Sequence, residues 1–345
     1  MSEMSDARHL LEPIVALHER IRDSVVTACE RQSTEQLAAV AAEESSDTIY
    51  RIDRISEQVL VSGLEDVAKR DPLVLVAEGL EDGKLVLPSG AREEDCRWRL
   101  IVDPIDGTRE IMYQKRSAWV LTGVAPNSGD ATRIRHIELA VQTEIPILKQ
   151  HLSDQLWAER GRGMHAVRYD RIRGTREPLA LRASRAPTLA HGFTSVSRFF
   201  PGVRDVLAAI DDEIVLEVLG PPDPHKAACF EDQYLSTGGQ LYELIAGRDR
   251  FIADIRPLLH SIVASRGLPP SLCCHPYDIC TALIAQECGV IITRPDGEPI
   301  DAPFDVDADV AWIGYANESI RESVEPALQT ALTRRGLSPA LAPRS

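Results

Sequence analysis

The sequence has no uninterrupted apolar run of the ~18–20 residues that a bilayer span requires; its longest, LVLVAEGL and AWVLTGVA, stop well short. No membrane segment is expected. It has no CxxC pair either. Its seven cysteines (Cys29, Cys96, Cys229, Cys273, Cys274, Cys280 and Cys288) are odd in number and follow no framework. Neither a disulfide scaffold nor a zinc site is expected, and reduced thiols in a cytoplasm are. The opening MSEMSDARHLLEP carries acidic residues early and lacks a basic stretch followed by a long apolar one, so no secretory signal is expected. Positive charge is in deficit. Acidic residues outnumber basic ones 53 to 38, a net charge of -15, which argues against nucleic acid or an anionic membrane as partner. A P-loop GxxxxGK[ST] and a GxGxxG turn are missing, and internal repeats and low-complexity runs are absent.

What is present is a globular chain of 345 residues with 44% hydrophobic residues spread along its length. That length exceeds the usual single domain, so two lobes are expected. Helical spacing of Leu10, Leu11, Ile14, Leu17, Ile21 and Val25 predicts a helix over 7–32, and Ile55, Val59, Leu60, Leu64 and Val67 a second over 54–69. Short apolar runs bounded by turn residues then predict strands at 73–78, 98–104, 117–126, 135–145, 154–161 and 164–170. Their connections are too short for crossover helices, so the sheet reads as mostly antiparallel. A polar stretch at 182–187 marks the boundary. Beyond it HGFTSV, IVLEVLG and VIITRP, read as strands, alternate with helical QLYELIAG and YDICTALIAQECG, the pattern of an α/β layer. The expected organisation is an N-terminal α+β lobe over 1–180 and a C-terminal α/β lobe over 181–345. The tail GLSPALAPRS is expected to be loose.

The chemistry concentrates in WRLIVDPIDGTRE. Pro104 fixes one φ angle and Gly107 permits a sharp turn, so Asp103 and Asp106 can face one point on a rigid bend. Converging carboxylates without basic neighbours repel, and a hard cation ligated by oxygen is the usual remedy; Mg²⁺ suits it. A helix opening at Thr108 would set backbone N–H groups beside that cation as a phosphate seat. An isolated DPxDG is equally an ordinary turn, so its context decides. Glu78 closes an apolar strand where it has no structural purpose. Asp278 precedes an apolar helix and reads equally as an N-cap, as does Asp53 at the start of the second helix. The Asp-x-x-Asp spacing differs from the Asp-x-Asp pair of haloacid-type phosphatases.

Taken together, these motifs resemble the inositol monophosphatase superfamily of metal-dependent, lithium-sensitive phosphatases. DPIDGT at 103–108 matches its central DPxDGT, and Glu78 its strand-end glutamate, with Gly79 where the family pairs a second glutamate. Residues 277–282 and 286–290 are similar to its WDxAAG and EAGG elements, without the tryptophan and the small pair. The segment from Asp47 to Asp53 is similar to DxxTxxD, with Tyr50 in place of threonine, and 158–163 to AexGxGA.

The resemblance implies a layered αβαβα sandwich of the sugar-phosphatase type, a homodimer, and two or three Mg²⁺ ions. It implies one ion on Glu78, Asp103 and the Ile105 carbonyl, and another on Asp103, Asp106 and Asp278. Thr108 and Asp53 would orient and deprotonate a water beside Glu78, and Gly107 and Thr108 would grip phosphate. Asp254 would contact substrate hydroxyls, Gly238 would line the pocket, and Arg109 would meet a second phosphate. The implied substrate is a small phosphorylated metabolite, an inositol phosphate first, with 3'-phosphoadenosine 5'-phosphate as the alternative. A catalytically silent ligand-binding or assembly module is the alternative of another class. Residues 255–277 read as an insertion near the pocket. His275 is expected to have a structural or metal-shell role.

Overall fold

The computed structural model describes residues 6–37, 40–43, 48–80, 82–223 and 225–337. Asp47 and the tail beyond residue 337 lie outside the described residues. After a 3-10 turn, α1 (Leu11–Arg31) presents Leu11, Ile14, Leu17, Ile21 and Val25 as one buried stripe. The short α2 (Thr34–Leu37) and the hairpin β1 (Val40–Glu43) and β2 (Thr48–Tyr50) lead into α3 (Arg51–Ala68).

Eight strands follow: β3 (Leu73–Ala77), β4 (Lys84–Leu87), β5 (Trp98–Asp106), β6 (Ala118–Pro126), β7 (Leu139–Ile145), β8 (Leu152–Glu159), β9 (Met164–Asp170) and β10 (Thr175–Pro178). A single helical turn, α4 (Thr108–Met112), lies between β5 and β6. They form one sheet in the order β10-β9-β8-β7-β6-β5-β3-β4, antiparallel throughout except where β3 runs parallel to β5. Along β3 the apolar run is unbroken, and β5 is buried along its whole length, because both faces are covered. Leu73, Leu75, Leu100 and Val102 pack with α1 and α3, whereas Val74, Val76 and Ile101 join the core on the opposite face.

The chain continues through β11 (Phe193–Val196), α5 (Arg204–Leu219), α6 (Thr237–Ile245), β12 (Asp249–Asp254), α7 (His260–Ser265), α8 (Pro276–Ile279), α9 (Ala282–Glu287), β13 (Ile291–Thr293), β14 (Trp312–Tyr315) and α10 (Glu318–Arg334). The second sheet runs β11-β12-β14-β13. Helices α6 and α9 fill the space between the two sheets, with Leu241, Leu244 and Ile284 sharing a core with Trp119, Ile252 and Trp312. Helices α5 and α10 cover the far side of the small sheet through Leu207, Ile210, Val324 and Leu328. The order is helix, sheet, helix, sheet, helix, the expected five-layer αβαβα arrangement. Residue 180 falls between β10, the last strand of the large sheet, and β11, the first of the small one.

Three local expectations differ. IVLEVLG is not a strand but the end of α5: Leu207, Ile210 and Ile214 repeat at helical spacing, and Gly220 at φ 79° stops the helix. YDICTALIAQECG is broken into α8 and α9 rather than one helix. β5 runs on through Asp106, so the aspartates sit within the strand rather than beyond its end.

One polar pin joins the outer helices to the large sheet. His18 of α1 is fully buried, with Nε2 2.7 Å from Thr122 Oγ1 and Nδ1 3.0 Å from Thr143 Oγ1. Burial pushes its pKa down from 6.5 to about 3. The folded state therefore holds His18 neutral while the unfolded chain protonates it below 6.5, and its contribution is lost as pH falls from there toward 3. At pH 7, His18→Gln should lose about 1–3 kcal/mol. The gap to wild type should narrow by about 1.4 kcal/mol per pH unit below 6.5. Chemical denaturation of both proteins at pH 7 and pH 5 tests this, and a constant gap would contradict it.

Candidate metal and phosphate site

The odd spacing of Asp103 and Asp106 would place them on opposite faces of a regular strand. The register of β5 against β6 prevents this. Asp103 pairs with Leu121 and Asp106 with Trp119, so three steps on β5 match two on β6. The extra residue is a bulge, set where Pro104 has no N–H for the ladder. Both aspartates thereby share the face that Trp119 and Leu121 turn toward the inter-sheet helices. Ile105 N–H donates to Asp103 Oδ1 at 2.9 Å and fixes the first carboxylate within the bulge.

The second carboxylate is held by a distant element. Ser236 caps α6, accepting from Gly239 N–H at 2.8 Å and donating to Asp106 Oδ2 at 2.7 Å. Gly238 N–H donates to the same oxygen at 2.5 Å, and Thr237 N–H to Oδ1 at 3.3 Å. The positive end of α6 thus faces Asp106. A Cβ on Gly238 would lie 2.6 Å from Leu121 and 2.9 Å from Asp106 Oδ2, which explains glycine at that position. The third carboxylate comes from α8. There His275, not Asp278, occupies the N-cap position. Asp278 reaches back to accept from His275 N–H at 2.6 Å, the acidic half of a capping box.

One oxygen each from Asp103, Asp106 and Asp278 lies within 4.8 Å of the others. The three charges acting most strongly on Asp103 are all carboxylates: Asp106, Asp278 and Glu78. Burial first, and those charges next, hold its pKa well above the usual range. Burial, then Asp278, raises Asp106 to about 8 against the donors from Ser236, Gly238 and Thr237. Buried carboxylates collected so closely are the donor set of a hard divalent cation, so these residues fit one.

Glu78 follows β3 and lines the same cleft, as do Ile105, Gly107, Thr108, Arg109 and Thr237. Gly107 adopts φ 93°, and a Cβ there would meet Ser236 at 3.1 Å. Thr108 Oγ1 lies 3.0 Å from Asp53 Oδ1 and 2.9 Å from the Ile105 carbonyl. Asp53, third in α3, is thereby brought to the site from the outermost layer.

Two expected contacts fall elsewhere. Asp254, expected to meet substrate hydroxyls, is fully buried behind the cleft. Its Oδ1 and Oδ2 accept from Arg256 Nε and Nη2 at 2.8 and 2.5 Å, and Arg256 takes the place on the wall. Gly238, expected against substrate, instead holds Asp106. Sequence reasoning missed Phe199, Phe200, Ser236 and Arg256, which also line the cleft. The guanidinium of Arg256 lies 4.9 Å from the Phe199 ring centre and 5.5 Å from that of Phe200. Ser236 carried a signal, a serine just ahead of the apolar helical run QLYELIAG and its glycine pair.

No protein-family model and no curated protein matches the sequence. Solved structures do. The extragenic suppressor protein SuhB of Bartonella henselae superposes with a TM-score of 0.62 at 18% identity, over 93% of this chain and 98% of that one. Fructose-1,6-bisphosphatase of Leishmania major gives 0.67 at 13% identity, over 95% and 96%. An IMPase of Thermotoga maritima gives 0.60 at 15%, over 94% and 98%.

Because their folded-state pKa values are raised, Asp103 and Asp106 lower stability progressively as pH climbs from about 4 to 8 in the absence of a cation. Asp106→Asn should be more stable relative to wild type at pH 8 than at pH 5 in chelator, by thermal unfolding. Added Mg²⁺ should raise the wild-type midpoint at pH 8 and leave that of Asp103→Asn nearly unmoved.

Proposed function

We propose that this chain, whose fold is that of the inositol monophosphatase and fructose-1,6-bisphosphatase superfamily, is a Mg²⁺-dependent hydrolase of a small-molecule phosphate monoester. The observation that carries this reading is the convergence of Asp103, Asp106 and Asp278 beside Thr108 and its partner Asp53. Asp103, Asp106 and Asp278 would hold one ion, and Glu78 with Asp103 and the Ile105 carbonyl a second. Bound there, Mg²⁺ lowers the pKa of a coordinated water and neutralises phosphoryl oxygens.

The chain's own groups supply the rest. Thr108 has one hydroxyl proton and two acceptors, Asp53 and the Ile105 carbonyl. Donating it to Asp53 leaves the oxygen lone pairs to accept from the attacking water and orient it. Glu78, half-buried on the same wall, is the base for that water's proton. The amides of Gly107 and Thr108 face the phosphoryl group, and Arg109 stands at the next position along α4.

A specific observation bears on the substrate. An inositol reader needs acceptors for hydroxyl groups, yet Asp254 is occupied by Arg256. The wall carries Arg256, Arg109, Phe199 and Phe200 instead, with Arg109 6.0 Å from the Phe200 ring centre. Cations beside aromatic faces favour the second reading, a substrate with a further anionic group, such as 3'-phosphoadenosine 5'-phosphate. Inositol monophosphates remain the reading from resemblance.

Phosphate release with Mg²⁺ across inositol, sugar and nucleotide phosphates tests both. Asp103→Asn should abolish turnover with an unchanged circular dichroism spectrum; near-normal activity would end the proposal. Thr108→Ala and Glu78→Gln should each lower kcat by about 10²–10⁴. If a second anion is read, Arg109→Ala should raise KM for a bisphosphate by about tenfold or more and leave that for a monophosphate nearly unchanged.

A further inference from the structure

The stretch 255–277 has donor chemistry of its own, outside the carboxylate cluster. After the 3-10 turn Arg256–Leu259 the chain enters α7 at His260, then returns as coil through Cys273. His260 Nε2 lies 3.4 Å from Cys273 Sγ and 3.6 Å from Asp309 Oδ2. One donor atom from each of the three residues lies within 4.8 Å of the other two. We propose that His260, Cys273 and Asp309 form a second metal site, one that takes a thiophilic divalent cation of the zinc type rather than Mg²⁺.

The two separations from His260, 3.4 Å to sulfur and 3.6 Å to oxygen, are close to those of a tetrahedral centre. Zinc bonds of about 2.3 Å to sulfur and 2.0–2.1 Å to nitrogen or oxygen place tetrahedral S and N ligands about 3.6 Å apart, and N and O about 3.4 Å apart. A mixed sulfur, imidazole and carboxylate set suits zinc and its neighbours in the transition series and is foreign to Mg²⁺, which takes oxygen. Three protein ligands leave the fourth position to water.

Cys273 and Asp309 are held in place by bonds made next to them. Val310 N–H donates to the Cys274 carbonyl at 2.7 Å, tying the residue after Asp309 to the residue after Cys273. Arg256 Nη1 donates to the Leu272 carbonyl at 2.8 Å, tying the start of the inserted turn to the residue before Cys273. Cys273 is 5% exposed and sits at the base of the site, while the side chains of His260 and Asp309, each more than a third exposed, leave an entry path. That burial also speaks against a redox thiol, which needs access.

The site adjoins the catalytic region through Asp309. Its Oδ1 is 3.9 Å from His275 Nε2, and His275 N–H holds Asp278. A cation on His260, Cys273 and Asp309 pins the inserted segment to the 309–310 loop and stiffens the turn that carries Asp278. The expectation of no zinc site rests on paired cysteine spacing, a criterion that does not address ligands drawn from three separate stretches of chain.

The test uses Co²⁺, which reports sulfur ligation by a thiolate-to-metal charge-transfer band in the near ultraviolet. Full-length protein is stripped with chelator, kept reduced with a phosphine and saturated with Mg²⁺ to occupy the carboxylates, then titrated with Co²⁺. One equivalent should develop the band, Cys273→Ser should abolish it, and Cys274→Ser should retain it. His260→Ala and Asp309→Asn should each weaken Co²⁺ binding at least tenfold; if Cys273→Ser fails to fold, these two exposed positions carry the test. No band in wild type, a band unchanged by Cys273→Ser, or unweakened binding in both other variants would overturn the site.

Discussion

Mutual repulsion among Asp103, Asp106 and Asp278 is the constraint around which the centre of the molecule is arranged. Two unit charges at about 4 Å repel by about 4 kcal/mol at an effective dielectric near 20, and the folded chain keeps three carboxylates at such range. Each has a dedicated polar support. Asp103 takes the amide of Ile105 across the bulge, Asp106 takes a hydroxyl and two amides at the head of α6, and Asp278 takes the amide of His275. None of these donors carries a full positive charge. The supports orient the carboxylates without neutralising them, a task the proposed function leaves to an ion from solution. A lysine in the same place would have produced a stable, inert core.

That arrangement also explains the order of the layers. The bulge directs both aspartates of β5 toward the inter-sheet space, so their partners have to come from helices lying there. α6 and α8 begin at the site, and it is their N-termini, with main-chain N–H groups, that face the carboxylates. Helix α3, on the other side of the large sheet, reaches the same point only because β5 ends there and α4 turns outward, bringing Thr108 to Asp53. Residues from across the chain meet where the central strand stops.

The parts legible in the sequence are those whose physics is local. DPIDGT could be read because proline and glycine constrain a turn on their own, and the strands of the large sheet because short apolar runs are bounded by turn residues, whereas the αβαβα layering came from the family resemblance that DPIDGT carries. Readings failed where a side-chain pairing or packing that spacing does not reveal decided. Asp254 looks like an exposed acid at a strand end, but Arg256 two residues later claims it, and no spacing rule distinguishes a salt-bridged aspartate from a ligand-reading one. IVLEVLG has the β-branched content of a strand, yet its one buried residue, Ile214, continues the helical spacing of Leu207 and Ile210. Gly238 looked like a ligand contact because its clash is with Asp106, 132 residues away.

On the proposed function, the net charge of -15 and an anionic substrate are reconciled by distance. At physiological ionic strength the Debye length is about 8 Å, so carboxylates scattered over the surface contribute little to the potential inside the cleft. There the balance is struck among few groups: the carboxylates at the base, the cations they are proposed to bind, Arg109 on the wall, and Arg256 already paired with Asp254. Without cations the base repels a phosphate. With them, the same carboxylates become the means by which it is held. Cation and phosphate would therefore bind with mutual support, and the acidic residues that seem to oppose an anionic substrate at the level of composition are the ones that would make its binding possible at the level of the site.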